Sequence, residues 1–213
     1  IQRSRGLGDV YKRQDPASAT YVTMKERACH SLGIETEIKR LTKDTSTTEL
    51  QQIIRDLNDD QTVDGILLQH PVPKQIDEIK CFNTICIEKD VDGVTTEGFG
   101  NMAMGLNAFG SCTPLGIMRI LDHYKINLEG MNALVIGRSQ ILGKPMAAML
   151  LNANATVTIA HSKTKNLKNS LKEFDLVVVA VGVPKFVSAN DLKEGCVLID
   201  AGYHPAQKCG DVD

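Results

Sequence analysis

Tyr21 and Lys25 stand four residues apart in Tyr21-Val-Thr-Met-Lys25, a spacing that puts both side chains on one face of a helix. A tyrosine ring can wall a flat heterocycle, and a partly desolvated lysine beside it can take or give a proton. The same pair can equally be an ordinary surface contact. Gln69 closes the apolar run Gly65-Ile-Leu-Leu-Gln69, at the strand end where open α/β sheets present groups to ligands. Asp92 lies in Lys89-Asp-Val-Asp-Gly93, a turn-prone stretch that can hold a ligand or merely cap a loop. It lacks the other ligands of a calcium loop. The six cysteines, at 29, 81, 86, 112, 196 and 209, show no CxxC and no paired histidine spacing, so no metal is expected and reduced thiols of a cytoplasmic protein are.

A second group of residues suits a nucleotide. Gly137-Arg138-Ser139-Gln-Ile-Leu-Gly143-Lys144-Pro145 follows an apolar strand and opens a helix. It is not the common GxGxxG, but strand, glycine turn and helix N-terminus come in the order that binds a pyrophosphate. A plain strand-to-helix connection would look similar. The next strand ends Ala160-His161-Ser162-Lys163-Thr164-Lys165, without the carboxylate that NAD sites direct at the ribose. Arg138, Ser162 and Lys163 can instead meet a 2′-phosphate, which selects NADP over NAD; as an alternative, Lys163 and Lys165 belong to a solvated loop. His161 reads as a packing or backbone-anchoring residue.

The elements that must carry these residues are legible from caps and periodicity. Asp15-Pro16 starts a helix that Gly33 ends, and Ile34, Thr36 and Ile38 alternate as a strand. Ser46-Thr-Thr-Glu49 is a capping box ahead of Leu50, Ile53, Ile54 and Leu57. Gly65 to Gln69 is a short strand that His-Pro-Val-Pro ends. Thr113-Pro114 starts another helix, with Ile117, Ile120 and Leu121 on one face. Strands over 133–136, 156–160, 176–180 and 197–200 then alternate with helices over 143–151, 166–173 and 189–193, the pattern of a doubly wound parallel sheet. Residues 1–14 carry six basic or amide side chains and no apolar period, and are left unplaced. The expected division is therefore 15–112 as a small α/β substrate domain and 113–213 as a Rossmann-like nucleotide domain.

Composition agrees with this class. The 213 residues are 42% hydrophobic and 23% charged, and the net charge is −2, values of a globular chain and not of one built to neutralise nucleic-acid phosphates. No apolar run approaches the roughly 18 residues of a membrane span. Neither nucleic acid nor membrane is expected as a partner.

Six motifs in order, Tyr21-Val-Thr-Met-Lys25, Leu67-Leu-Gln69-His-Pro-Val-Pro73, Lys89-Asp-Val-Asp-Gly-Val94, Cys112-Thr-Pro-Leu-Gly116, Val135-Ile-Gly-Arg-Ser139 and Gly210-Asp-Val-Asp213, resemble the bifunctional methylenetetrahydrofolate dehydrogenase/cyclohydrolase (FolD) family. The resemblance implies a folate domain and an NADP domain facing each other across a cleft, a homodimer, and a place in one-carbon metabolism and purine biosynthesis. It matches Lys25 to the catalytic lysine, Tyr21 to the tyrosine that stacks on folate, and Gln69 to the glutamine supporting the lysine. Asp92 matches the carboxylate that holds the pterin, whose amino-pyrimidinone edge offers it two N–H donors. Gly137, Arg138, Ser139 and Ser162 match cofactor contacts; Tyr203 falls where the family commonly has an aliphatic residue near the nicotinamide. The implied chemistry is NADP-dependent oxidation of 5,10-methylenetetrahydrofolate to the methenyl form, then its hydrolysis to 10-formyltetrahydrofolate.

The family also carries a strand and helix ahead of its Asp-Pro-Ala-Ser segment, and a Pro-Gly-Gly-containing loop and a helix beyond Gly-Asp-Val-Asp. Without them the expectation is an incomplete first sheet and a weakly active chain. Two rival readings remain at this stage: a different NADP-dependent dehydrogenase on a similar sheet, and a non-catalytic nucleotide-binding module in which Lys25 is dispensable.

Overall fold

The computed structural model describes residues 5–11, 16–204 and 207–213, with side chains from residue 22 onward, and it divides the chain into two units, 1–101 with 107–109 and 102–106 with 110–213. In the first unit, β1 (Arg5–Tyr11), α1 (Pro16–Ser31), β2 (Glu35–Arg40), α2 (Thr47–Asp59) and β3 (Val63–Leu67) alternate, followed by α3 (Glu78–Phe82), a 3₁₀ turn over Ile87–Lys89 and α4 (Thr96–Ala103). Proline suits the first turn of α1 because the N–H it lacks would have no helical partner there; its expected cap, Asp15, lies outside the described residues. Gly33, at φ +74°, lets the chain leave α1 in the left-handed conformation that a side chain resists. The capping box at α2 is present in full. Ser46 Oγ accepts from the Glu49 amide at 3.2 Å, and the Glu49 carboxylate accepts from the Ser46 amide at 2.7 Å. Leu50, Ile54 and Leu57 then fall on one face and pack against Val63, Ile66, Leu68, Phe82 and Ile85.

Residues 1–14, left unplaced by the sequence, are here corrected in part: Arg5–Tyr11 is the middle strand of a parallel sheet ordered β2-β1-β3. Asp9 is in register with Ile38 on one side and Leu67 on the other. The first sheet therefore has its central strand. Its sequence, Arg-Gly-Leu-Gly-Asp-Val-Tyr, hides it because glycines replace the β-branched residues that usually announce a strand. Two flanking ladders supply the backbone hydrogen bonds that define it.

The second unit comprises α5 (Cys112–His123), β4 (Asn132–Ile136), α6 (Gly143–Asn152), β5 (Thr156–Ala160), α7 (Leu167–Ser170), β6 (Leu176–Val179) and β7 (Val197–Asp200). All four strands are parallel, in the order β5-β4-β6-β7. Strand residues alternate between two cores. Ala133, Val135, Leu176 and Val178 pack with Ile117, Leu121, Met146 and Leu150, while Leu134, Ile136, Val177 and Val179 pack with Leu171, Phe174 and Val187. This is a doubly wound sheet covered on both faces.

Three details differ from the sequence reading. α5 begins at Cys112 behind Ser111, so Pro114 sits within the first turn, where its missing N–H is harmless. Its buried face is Pro114, Ile117 and Leu121, and Ile120 is half exposed. The helix expected over 166–173 is the single turn α7 continued by a 3₁₀ turn at Leu171–Glu173, and the one over 189–193 is a 3₁₀ turn at Ala189–Asp191. Short polar connections with few apolar residues have too little to bury to extend further.

Candidate active site

In the first unit the key contact joins a helix to a strand end. Lys25 on α1 donates from Nζ to Gln69 Oε1 at 3.0 Å. Gln69 is the second residue beyond β3, and its Nε2 donates to the His70 carbonyl at 2.8 Å. That second bond turns Oε1 toward the lysine. The loop that carries Gln69 is itself braced: Glu78 Oε1 meets His70 Nδ1 at 2.6 Å and accepts from the Val72 amide at 3.2 Å. Both Lys25 and Gln69 are half-buried, so their polar ends are restricted and still reachable. Tyr21 lies one helical turn before Lys25 on α1; its side chain is outside the described residues.

A parallel bridge between Ile66 and Asp90 ties the Lys89-to-Gly93 turn to β3. The two aspartates divide the work. Asp90 is 1% exposed and accepts from the Val94 and Thr95 amides at 3.1 and 2.9 Å, so it is the loop cap. Asp92 is half-buried. Lys89 is structural: its Nζ donates to the carbonyls of Leu57, Asn58 and Asp60 at 2.9, 2.6 and 2.8 Å, closing the C-terminal end of α2. Sequence reasoning assigned neither Asp90 nor Lys89. The signal for Asp90 was its place just before a glycine turn.

In the second unit β4 leads to β5 on one side of the sheet, and the chain returns to β6 on the other. The switch point between β4 and β6 is where such sheets take ligands. Gly137 starts the turn after β4 at φ +132°; a Cβ there would lie 2.3 Å from the Ala180 carbonyl oxygen. One on Gly143 would lie 2.4 Å from the Gly137 oxygen. Both glycines are thus required by close backbone approach. Ser139 Oγ accepts from the Leu142 and Gly143 amides at 3.2 Å each, so it shapes the turn and takes two of the donors that open α6. Arg138 is exposed at the lip.

The Gly137 amide donates to the Ala160 carbonyl at 2.9 Å, which sets the turn after β4 beside the one after β5. There Ser162 and Lys163 are exposed, and among the described residues no acidic side chain occurs between Ala160 and Leu171. His161 is the anchor: its Nδ1 accepts from the Lys163 amide at 3.1 Å and its own amide donates to Thr164 Oγ1 at 2.9 Å. Tyr203, beyond β7, is 66% exposed. These residues fit a dinucleotide with a 2′-phosphate: a cradle that only glycine tolerates, an arginine at its lip, and a lysine and a serine with no carboxylate to repel the dianion. Among the described residues no group of side chains could hold a metal ion.

Sequence comparison assigns the same two units. Residues 2–92 match the model of the tetrahydrofolate dehydrogenase/cyclohydrolase catalytic domain, and residues 111–213 that of its NAD(P)-binding domain. The bifunctional protein FolD of Alcanivorax borkumensis is 57% identical over 207 residues, which are 97% of this chain and 73% of that protein. Among solved structures, the bifunctional methylenetetrahydrofolate dehydrogenase/cyclohydrolase FolD of Campylobacter jejuni superposes with a TM-score of 0.95 at 40% identity, covering 99% of this chain and 76% of that one. The Trypanosoma brucei enzyme, solved with NADP and an inhibitor, gives 0.91 at 29% identity over 99% and 75%. With both domain models matched and a relative 57% identical along 97% of the chain's length, the chain belongs to the tetrahydrofolate dehydrogenase/cyclohydrolase family.

Proposed function

We propose that this chain oxidises 5,10-methylenetetrahydrofolate and hydrolyses the resulting methenyl compound to 10-formyltetrahydrofolate, with Lys25 as the proton-handling residue of the hydrolysis. The observation that carries the reading is the 3.0 Å bond from Lys25 Nζ to Gln69 Oε1. Gln69 holds the amine in one rotamer at the C-terminal edge of the sheet, and a fixed general base is worth about 10²–10⁴ in rate. NADP, when bound, supplies the hydride acceptor. Gly137, Arg138, Ser139 and Ser162 would hold it, with Tyr203 at the far strand.

The folate-side roles follow from side-chain chemistry. Loss of hydride leaves a cation shared between N5 and N10 of the substrate. Tyr21 offers a ring face to the pterin, and a π face favours a delocalised cation. Asp92 accepts from two N–H donors of the amino-pyrimidinone, which fixes the pterin's rotation. When water adds to the bridge carbon, Lys25 takes one proton from the attacking oxygen and can return it to the departing ring nitrogen, while the second proton of that water leaves to solvent as the hydroxyl becomes the formyl carbonyl; the cationic substrate thus gives a neutral product and one released proton. The half-buried setting limits the number of waters that compete for the lysine.

The test is to replace Lys25 by Met and measure both reactions. Hydrolysis of the methenyl substrate should fall by about 10²–10⁴ while NADP still binds. Undiminished hydrolysis removes Lys25 from the role, and failure of the wild-type chain to bind either ligand overturns the reading. We further infer a homodimer, formed through β5: it is the sheet's outer strand, with Ile159 43% and Leu151 of α6 62% exposed, and unpaired strand edges seek partners. The six cysteines form no disulfide among the described residues, which favours a reducing compartment such as the cytoplasm, and the product is a one-carbon donor of the kind purine synthesis consumes.

A further inference from the structure

Asp211, in the Gly210-Asp-Val-Asp213 motif, has no part in the chemistry above, yet it is fully buried. One carboxylate oxygen accepts from the amides of Val181 and Gly182 at 2.7 and 2.9 Å. The other meets His204 Nε2 at 2.8 Å. Its own amide donates to Asp200 Oδ1 at 3.0 Å, and its carbonyl accepts from Phe186 and Val187 at 2.6 and 3.2 Å. The neighbourhood is built around it. A Cβ on Gly202 would lie 2.3 Å from the Asp211 carboxyl carbon, and one on Gly210 would lie 1.9 Å from Asp200 Oδ2.

Val181 and Gly182 are the turn that leaves β6, beside the glycine cradle: the Ala180 carbonyl oxygen is the atom that forbids a side chain at Gly137. In a trans peptide the C=O points opposite to the N–H. Turning the Val181 and Gly182 amides toward Asp211 therefore turns the Ala180 and Val181 carbonyls away from it, and the Ala180 oxygen lies against the Gly137 turn. We propose that Asp211 is a positioning residue for the dinucleotide: it fixes the β6 turn so that the Ala180 and Val181 carbonyls line the switch-point crevice as acceptors for hydroxyl or carboxamide donors of NADP. The inference rests on the assignment of that crevice to NADP.

The experiment compares the wild-type chain with Asp211→Ala, Asp211→Asn and His204→Ala, reading NADP affinity by titration, KM for NADP and for 5,10-methylenetetrahydrofolate, and secondary structure by circular dichroism. Asp211→Ala leaves two buried amides without an acceptor and should weaken NADP about tenfold or more, raising KM for NADP with KM for the folate unchanged. Asp211→Asn keeps an acceptor oxygen and should restore affinity to within about threefold. If Asp211→Ala does not fold, His204→Ala decides, with an expected loss of about threefold to tenfold. Folded variants that bind NADP as tightly as wild type overturn the proposal alone, as does a KM that rises equally for both substrates. A wild-type chain that does not bind NADP overturns the functional reading and this inference with it.

Discussion

Lys25 and Gln69 are 44 residues apart in the chain and 3.0 Å apart in space. Either residue alone is common; the bond between them fixes where the amine points. The same economy appears at Asp90 and Asp92, two identical side chains separated by one valine. Asp90 is consumed by two loop amides, while Asp92 is the carboxylate proposed for the pterin. Cofactor choice is also a residue-scale matter. Replacing Ser162 by Asp would place a carboxylate where the 2′-phosphate is proposed to sit, and like charges brought together cost several kcal/mol. The expected outcome is an NADP affinity at least about tenfold weaker with NAD little affected, measured by parallel titrations. An unchanged preference would move the 2′-phosphate elsewhere.

At the scale of elements, backbone accounting explains both what the sequence announced and what it hid. α2 is announced twice, by Ser46 and Glu49 at its start and by Leu50, Ile54 and Leu57 along one face. β1 is announced by nothing local, because its definition comes from ladders with β2 and β3. The switch-point sheet lies between, legible from apolar runs but anchored by a contact that spacing does not reveal. Asp175 accepts from the Asn132 amide at 2.7 Å at the start of β4 and is paired with the Lys193 ammonium. Its backbone also joins both neighbours: its amide donates to the Asn132 carbonyl and its carbonyl accepts from Val197, each at 2.8 Å. The Lys193 hydrogen bond first, and the Asn132 amide second, hold the Asp175 carboxyl below its ordinary 3.8. A carboxyl whose pKa is lower in the folded state stabilises above its unfolded value and loses that contribution as pH falls through the folded one. Asp175→Asn should therefore melt lower than wild type at neutral pH, and the gap should close as pH falls below about 4. Thermal melts of the two proteins from pH 7 to pH 2 check this, and a gap independent of pH would deny the carboxylate its anchoring role.

For the whole molecule, the division of labour follows the two units: one carries the lysine, glutamine and aspartate, the other the glycine cradle. No helix among the described residues is long and apolar enough to cross a membrane. β5 as an outer strand offers a direct check on assembly. Light scattering should give about twice the 23.3 kDa of one chain, and Ile159→Lys, which puts a charge on that strand, should return it to about one. A wild-type value of one chain would end the dimer proposal.

Local chemistry by itself determined the alternation of strands and helices, the caps, the glycine turn and the identity of the residues able to handle protons or phosphates, because these depend on near neighbours and on periodicity. Only the tertiary structure decided that Gln69 turns its oxygen to Lys25, that Asp90 and not Asp92 is the loop cap, that β1 fills the middle of the first sheet, and that Asp211 holds the turn after β6 from 29 residues further along the chain. Apart from the Asp90 cap, whose bonds are local, each of these rests on hydrogen bonds between segments distant in sequence. Such a bond is selected by how the sheet orders its strands, which no spacing along the chain encodes.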